Sequence, residues 1–178
     1  IKKVVSIMKI AIIYDSLTGN TKMLAQHIEM TCQNEEIVYI GKPKEIQADL
    51  YFIGSWTDKG NCSESIQQYV KTLDNKKIVY FATCGFGGSQ TYFDQLKQRF
   101  KQILPASTTL VDCFICQGKM PESVKQRYLS LLKKNPDNQQ LQLALNNFEQ
   151  ALSHPDQQDL NNLQNLTLQI IHQVKNPQ

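Results

Sequence analysis

Short apolar runs recur along the chain at 10–14, 37–40, 50–53, 78–82 and 110–115, several of them nearly unbroken in Val, Ile, Leu, Tyr and Phe. Strands covered on both faces read this way, because neither row of side chains meets water. Helical spacing fills the gaps: Leu24 and Ile28 recur four apart, Ile66 and Val70 do the same, and Phe93, Leu96 and Phe100 follow at three and four. Strands alternating with helices predict an α/β fold, a five-stranded parallel sheet with helices on both sides.

Beyond Gln117 no further strand pattern occurs. Pro121 opens a stretch with Val124, Tyr128, Leu131 and Leu132 on one side; residues 135–152 place Leu141, Leu145, Phe148 and Leu152 at helical spacing. A last helix is expected from Pro155, with Ser153 or His154 as its cap. The Asn and Gln density of this region resembles a disordered tail, but the leucine spacing argues for amphipathic helices. The chain is therefore expected to form one domain over 8–178, with a helical insertion at 117–152 after the fifth strand. Met8 offers a natural start, which makes 1–7 an N-terminal extension.

With 178 residues, 41% of them hydrophobic, the chain can bury a sizeable core. Its 19 basic and 16 acidic residues leave a net charge of +3 spread through both halves, so no nucleic-acid or membrane partner is expected. The five cysteines are an odd number, which points to free thiols in a reducing cytoplasm. Cys113 and Cys116 have redox-motif spacing, but on a strand residues three apart point to opposite faces. No second Cys or His pair completes a metal set.

The chemistry concentrates where the first apolar run meets the first helix, in "SLTGNT" (Ser16, Leu17, Thr18, Gly19, Asn20 and Thr21). A helix start leaves backbone N–H groups without partners and its dipole favours an anion. Hydroxyls at Ser16, Thr18 and Thr21 add donors, and Gly19 permits close backbone approach. One hydroxyl suffices for an ordinary helix cap. Several around a glycine suit a phosphate monoester held by neutral dipoles. A Walker loop is excluded because Asn20, not lysine, follows Gly19, and a dinucleotide pattern at Gly85 and Gly87 fails at Gln90.

Together, "YDSLTGNT", "IGSWTDKGN" and "TCGFGGSQTYF" resemble, in order, the three FMN-binding loops of the flavodoxin family. The phrases "WTDKG", "GFGGS" and "CQGKMP" are similar to small members encoded beside a bilirubin-reducing flavoenzyme. The resemblance implies a flavodoxin-like doubly wound sheet of order 2-1-3-4-5, with FMN at the switch point. It further implies that residues 16–21 hold the phosphate while Gly54, Ser55, Trp56 and Thr57 and then Cys84, Gly85, Phe86, Gly87 and Gly88 flank the isoalloxazine. Trp56 would stack on one ring face.

Three departures from the family pattern qualify this. Thr57 stands where many flavodoxins have a glycine whose peptide flips on reduction, and a β-branched residue resists positive φ. Gln90 stands where an aromatic usually covers the outer ring face, leaving Phe86 to substitute or the face open. The slightly basic charge, with Lys59 in the second loop, contrasts with the acidic family norm. The resemblance implies an electron-transfer protein donating to a partner reductase. Its alternatives are an FMN-dependent NAD(P)H oxidoreductase acting on a quinone-like or tetrapyrrole acceptor, and a binding module without redox role. The insertion would cover the cofactor, select a partner or form a homodimer face, or else add packing with no further role.

Overall fold

The structure is a computed structural model that describes residues 6–87 and 89–177. Residues 1–5 of the expected extension and Gly88 of the third loop lie outside the described residues. Five parallel strands, β1 (Lys9–Asp15), β2 (Glu36–Gly41), β3 (Leu50–Asp58), β5 (Lys77–Cys84) and β6 (Thr109–Gln117), lie in the order β2-β1-β3-β5-β6. A two-residue strand, β4 (Asn61–Cys62), folds back on β3 as an antiparallel hairpin.

Alternate residues of each strand feed two separate cores. Ala11, Ile13, Tyr51, Ile53, Ile78 and Tyr80 face α2 (Glu64–Val70) and α3 (Gln90–Gln102), which bring Ile66, Val70, Leu96 and Phe100. Ile10, Ile12, Leu50, Phe52, Val79 and Phe81 face α1 (Asn20–Thr31) and α6 (Gln157–Lys175), which bring Leu24, Ile28, Leu163 and Ile170. Tyr80 and Phe100 stack with ring centroids 3.7 Å apart. Each fully buried Leu, Ile or Phe contributes on the order of 1.5–3 kcal/mol, so this two-sided burial supplies most of the driving force for the sheet.

Between β6 and α6 the chain forms α4 (Glu122–Lys134) and α5 (Gln139–Ala151). These two pack on each other, with a Lys125–Glu149 ion pair at 2.6 Å across them. Of the two, α5 has buried residues, Ala144, Phe148 and Ala151, and α4 has none. Leu131, Leu143 and Leu152 of this pair remain exposed.

Two details differ from the sequence expectation. β3 continues past Ile53 to Asp58, because its later residues pair with β1, β5 and β4 although they are polar. The last helix is capped by Asp156 rather than Ser153 or His154: Asp156 accepts from the Asp159 N–H, and the Asp159 carboxylate accepts from the Asp156 N–H. His154 instead meets the Asp159 carboxylate at 2.6 Å from outside the helix. Cys113 and Cys116 do diverge as strand alternation requires, one joining each core.

Candidate functional site

The carboxyl ends of β1, β3, β5 and β6 meet one side of the sheet's edge, where the order reverses between β1 and β3. This is where an open parallel sheet leaves a crevice. After β1, Ser16 Oγ accepts from the Gly19 N–H at 3.1 Å and the Lys22 N–H at 3.2 Å, curling the chain into a tight loop. Thr18 Oγ1 accepts from Asn20 Nδ2 at 3.2 Å. Both hydroxyls therefore use their oxygen within the loop and keep their own O–H to donate. Gly19, immediately before α1, has φ 95°, a left-handed conformation that suits glycine. The Asn20 and Thr21 N–H groups lie in the first turn of α1, where no helical carbonyl reaches them.

Thr21 behaves differently from its neighbours. It is fully buried, and its hydroxyl meets that of Thr83 on β5 at 3.0 Å. It pins the start of α1 to the sheet rather than presenting a donor outward. Asn20 reaches the other way, donating to the Lys119 carbonyl at 2.9 Å and tying this loop to the segment after β6.

Residues 54–57 lie on β3 itself, not in a loop. Gly54 is wedged against Phe81, and Ser55 is fully buried, accepting from the Ser63 N–H at 2.8 Å. Neither lines the crevice, whereas Trp56 and Thr57 do. Trp56 donates its indole N–H to Asp15 Oδ2 at 3.2 Å, and Ser65 donates to the same oxygen at 3.0 Å. Burial pulls the Asp15 carboxyl upward, but hydrogen bonds from Ser63, Ser65 and Trp56 and the Lys42 charge outweigh it and hold the group below the usual aspartate range. Beyond Trp56, Lys59 and Gly60 both take positive φ, at 48° and 78°, and form the two-residue turn of the hairpin.

After β5, Cys84 is buried and directs its thiol at the Cys116 carbonyl, and burial pushes that thiol up to about 12. Gly85 and Phe86 line the crevice; Gly87 at φ 88° packs instead against Tyr92. Phe86 is exposed and meets Tyr92 edge-on with ring centroids 6.2 Å apart. Tyr92 thus supplies an aromatic wall on the side where Gln90 leaves none.

The crevice is a cavity of about 640 Å³. The sequence patterns brought Leu17, Thr18, Asn20, Trp56, Thr57, Cys84, Gly85 and Phe86 to it. They missed Tyr92 and Arg99 of α3, and Met120, Val124, Arg127 and Tyr128 along α4 and the segment before it. Val124 and Tyr128 were visible as an apolar pair four apart, but that spacing is the same for a core face. The cationic lining residues are Lys59, Arg99, Lys119 and Arg127, and no carboxylate lies in the wall among the described residues.

The chain is similar to known proteins over most of its length. The flavodoxin domain model matches residues 11–167. A flavodoxin-like domain-containing protein, BilS, from Clostridioides difficile (strain CD3) is 38% identical over 160 residues, covering 86% of this chain and 90% of the relative. The BilS of Clostridium symbiosum (strain WAL-14163) is 40% identical over 172 residues, with the same coverage. Oxidised flavodoxin 2 from Bacillus cereus superposes with a TM-score of 0.55 at 16% identity, covering 93% of this chain and 99% of that one, which is a likeness of fold. This protein belongs to the flavodoxin family.

Proposed function

We propose that this protein is an electron-transfer flavoprotein that donates electrons to a partner reductase, with FMN as its cofactor. FMN is the cofactor of the family to which the chain belongs, and it supplies reversible one- and two-electron chemistry when bound. The observation that carries the reading is the loop at residues 16–21: Ser16 and Thr18 spend their acceptor oxygens internally and keep O–H donors free beside the open first turn of α1. A phosphate monoester needs donors and no proton acceptor, so this cradle fits it. The adjoining cavity, with Trp56, Tyr92 and exposed Phe86 in its walls, suits a planar ring system.

In this reading Ser16, Thr18 and the N–H groups of Asn20 and Thr21 hold the phosphate. Trp56, oriented by Asp15, stacks on one ring face. Phe86 and Tyr92 bound the other, Cys84 and Gly85 with Thr57 line the backbone wall around them, and Gly54 and Ser55 support Trp56 from within β3. The four cations in the wall favour the negative charge that reduction adds, and so favour the fully reduced cofactor. Lys59 is therefore expected to raise the midpoint potential rather than lower it.

A second reading, an FMN-dependent NAD(P)H oxidoreductase acting on a quinone-like or tetrapyrrole acceptor, is supported by the cavity's extension to Val124, Arg127 and Tyr128 on α4. Steady-state assay of the FMN-loaded protein with NADPH and a quinone separates the two. An electron carrier consumes NADPH only when a flavin reductase is added; turnover by the protein alone favours the oxidoreductase. The exposed Leu131, Leu143 and Leu152 support self-association through α4 and α5, which sedimentation equilibrium would test.

A further inference from the structure

Asn147 stands out because one side-chain amide on α5 makes three hydrogen bonds to segments far away in sequence. Its Nδ2 donates to the Gly85 carbonyl at 2.7 Å. Its Oδ1 accepts from the Gly87 N–H at 3.2 Å and from Gln117 Nε2, also at 3.2 Å. We propose that Asn147 is a positioning residue that aims the backbone of Phe86 into the cavity, so that α5 is a working part of the cofactor site; the inference rests on the FMN reading above.

A trans peptide is planar, and its carbonyl and the next N–H point in opposite directions. The Gly85 carbonyl turns toward Asn147, so the Phe86 N–H turns away from it. The Gly87 N–H turns toward Asn147, so the Phe86 carbonyl also turns away. Phe86 thus presents a donor and an acceptor together on the side of the loop opposite α5. Gly85 and Phe86 line the cavity, and no described residue of α5 does. A donor beside an acceptor complements an imide edge, such as the carbonyl and N–H of a flavin pyrimidine ring.

Only a side chain with a donor and an acceptor can hold both peptides at once, which is why an amide serves here. The Gly85 carbonyl and the Gly87 N–H fix which end of that amide is the oxygen, and Gln117 Nε2 on β6 donates to the same Oδ1. An aspartate would keep the grip on Gly87 and Gln117 but repel the Gly85 carbonyl. The two halves of the clamp are therefore separable by substitution.

The test compares wild type, Asn147→Ala and Asn147→Asp by amide hydrogen exchange of the apoprotein and by FMN affinity and midpoint potentials of the loaded protein. The clamp predicts exchange at Gly87 at least about tenfold faster in Asn147→Ala but still slow in Asn147→Asp, as expected for loss of one hydrogen bond. Both variants should bind FMN about tenfold more weakly and show shifted potentials, because each loses the hold on Gly85. Affinity within twofold of wild type together with unchanged potentials in Asn147→Ala would overturn the proposal, whatever that variant's melting temperature, as would unchanged Gly87 exchange. A wild type that binds no FMN would instead overturn the cofactor reading, while the exchange data would still judge the clamp.

Discussion

Thr57 donates its hydroxyl to the Thr83 carbonyl at 2.9 Å and pairs with Cys62 across the hairpin, so its backbone is held as a strand from both sides. A peptide flip there would break the hairpin pairing and force a β-branched residue toward positive φ. The two one-electron potentials of the bound flavin are accordingly expected to lie close together. Thr57→Gly should separate them in a redox titration; unchanged potentials would show that this position does not control them. Asp15 accepts the indole N–H of Trp56. Its carboxyl lies below its unfolded value of about 3.9, so its contribution to stability is complete above that value and is lost as pH falls through the lower folded one. Asp15→Asn should remove this acid-limb loss from a plot of stability against pH while leaving the curve near neutrality flat.

At the scale of elements, β3 sets the site by running past the hydrophobic core. Gly54 lies where a Cβ would come 2.2 Å from the Phe81 ring, which belongs to the core on the α1 and α6 side. Gly54→Ala should cost about 1–3 kcal/mol by overpacking, read as a lower denaturant midpoint with the slope unchanged. Much of this level was legible in the sequence: the apolar runs marked all five parallel strands because each is covered on both faces, and the hydroxyl and glycine cluster at residues 16–21 marked the β1–α1 junction. The turn at Lys59 and Gly60 was not legible, since β4 is only two residues long and carries no alternation. Burial of Thr21 and Ser55 was hidden as well, because a hydroxyl in a polar stretch looks the same whether it faces solvent or a partner strand. Asn147 sits in an Asn- and Gln-rich run, and its partners at Gly85 and Gly87 are about 60 residues away, so no local pattern marks it.

For the whole molecule, the doubly wound sheet brings four strand ends and α4 around one cavity, and the bridges from Asn20 to Lys119 and from Asn147 on α5 to Gly85 tie its walls together. A ligand that binds only this folded arrangement stabilises it by mass action. At a hundredfold excess over its Kd, FMN should add about 2.7 kcal/mol and raise the melting temperature by roughly 5–10 °C for a chain of this size. The most direct measurement uses Trp56, the chain's one tryptophan, whose ring forms part of the cavity wall. Titration of FMN into the apoprotein, followed through Trp56 and flavin fluorescence, should give saturable one-to-one quenching of both. No quenching, with no change in melting temperature, would contradict the account and leave residues 16–21 as the cap of α1.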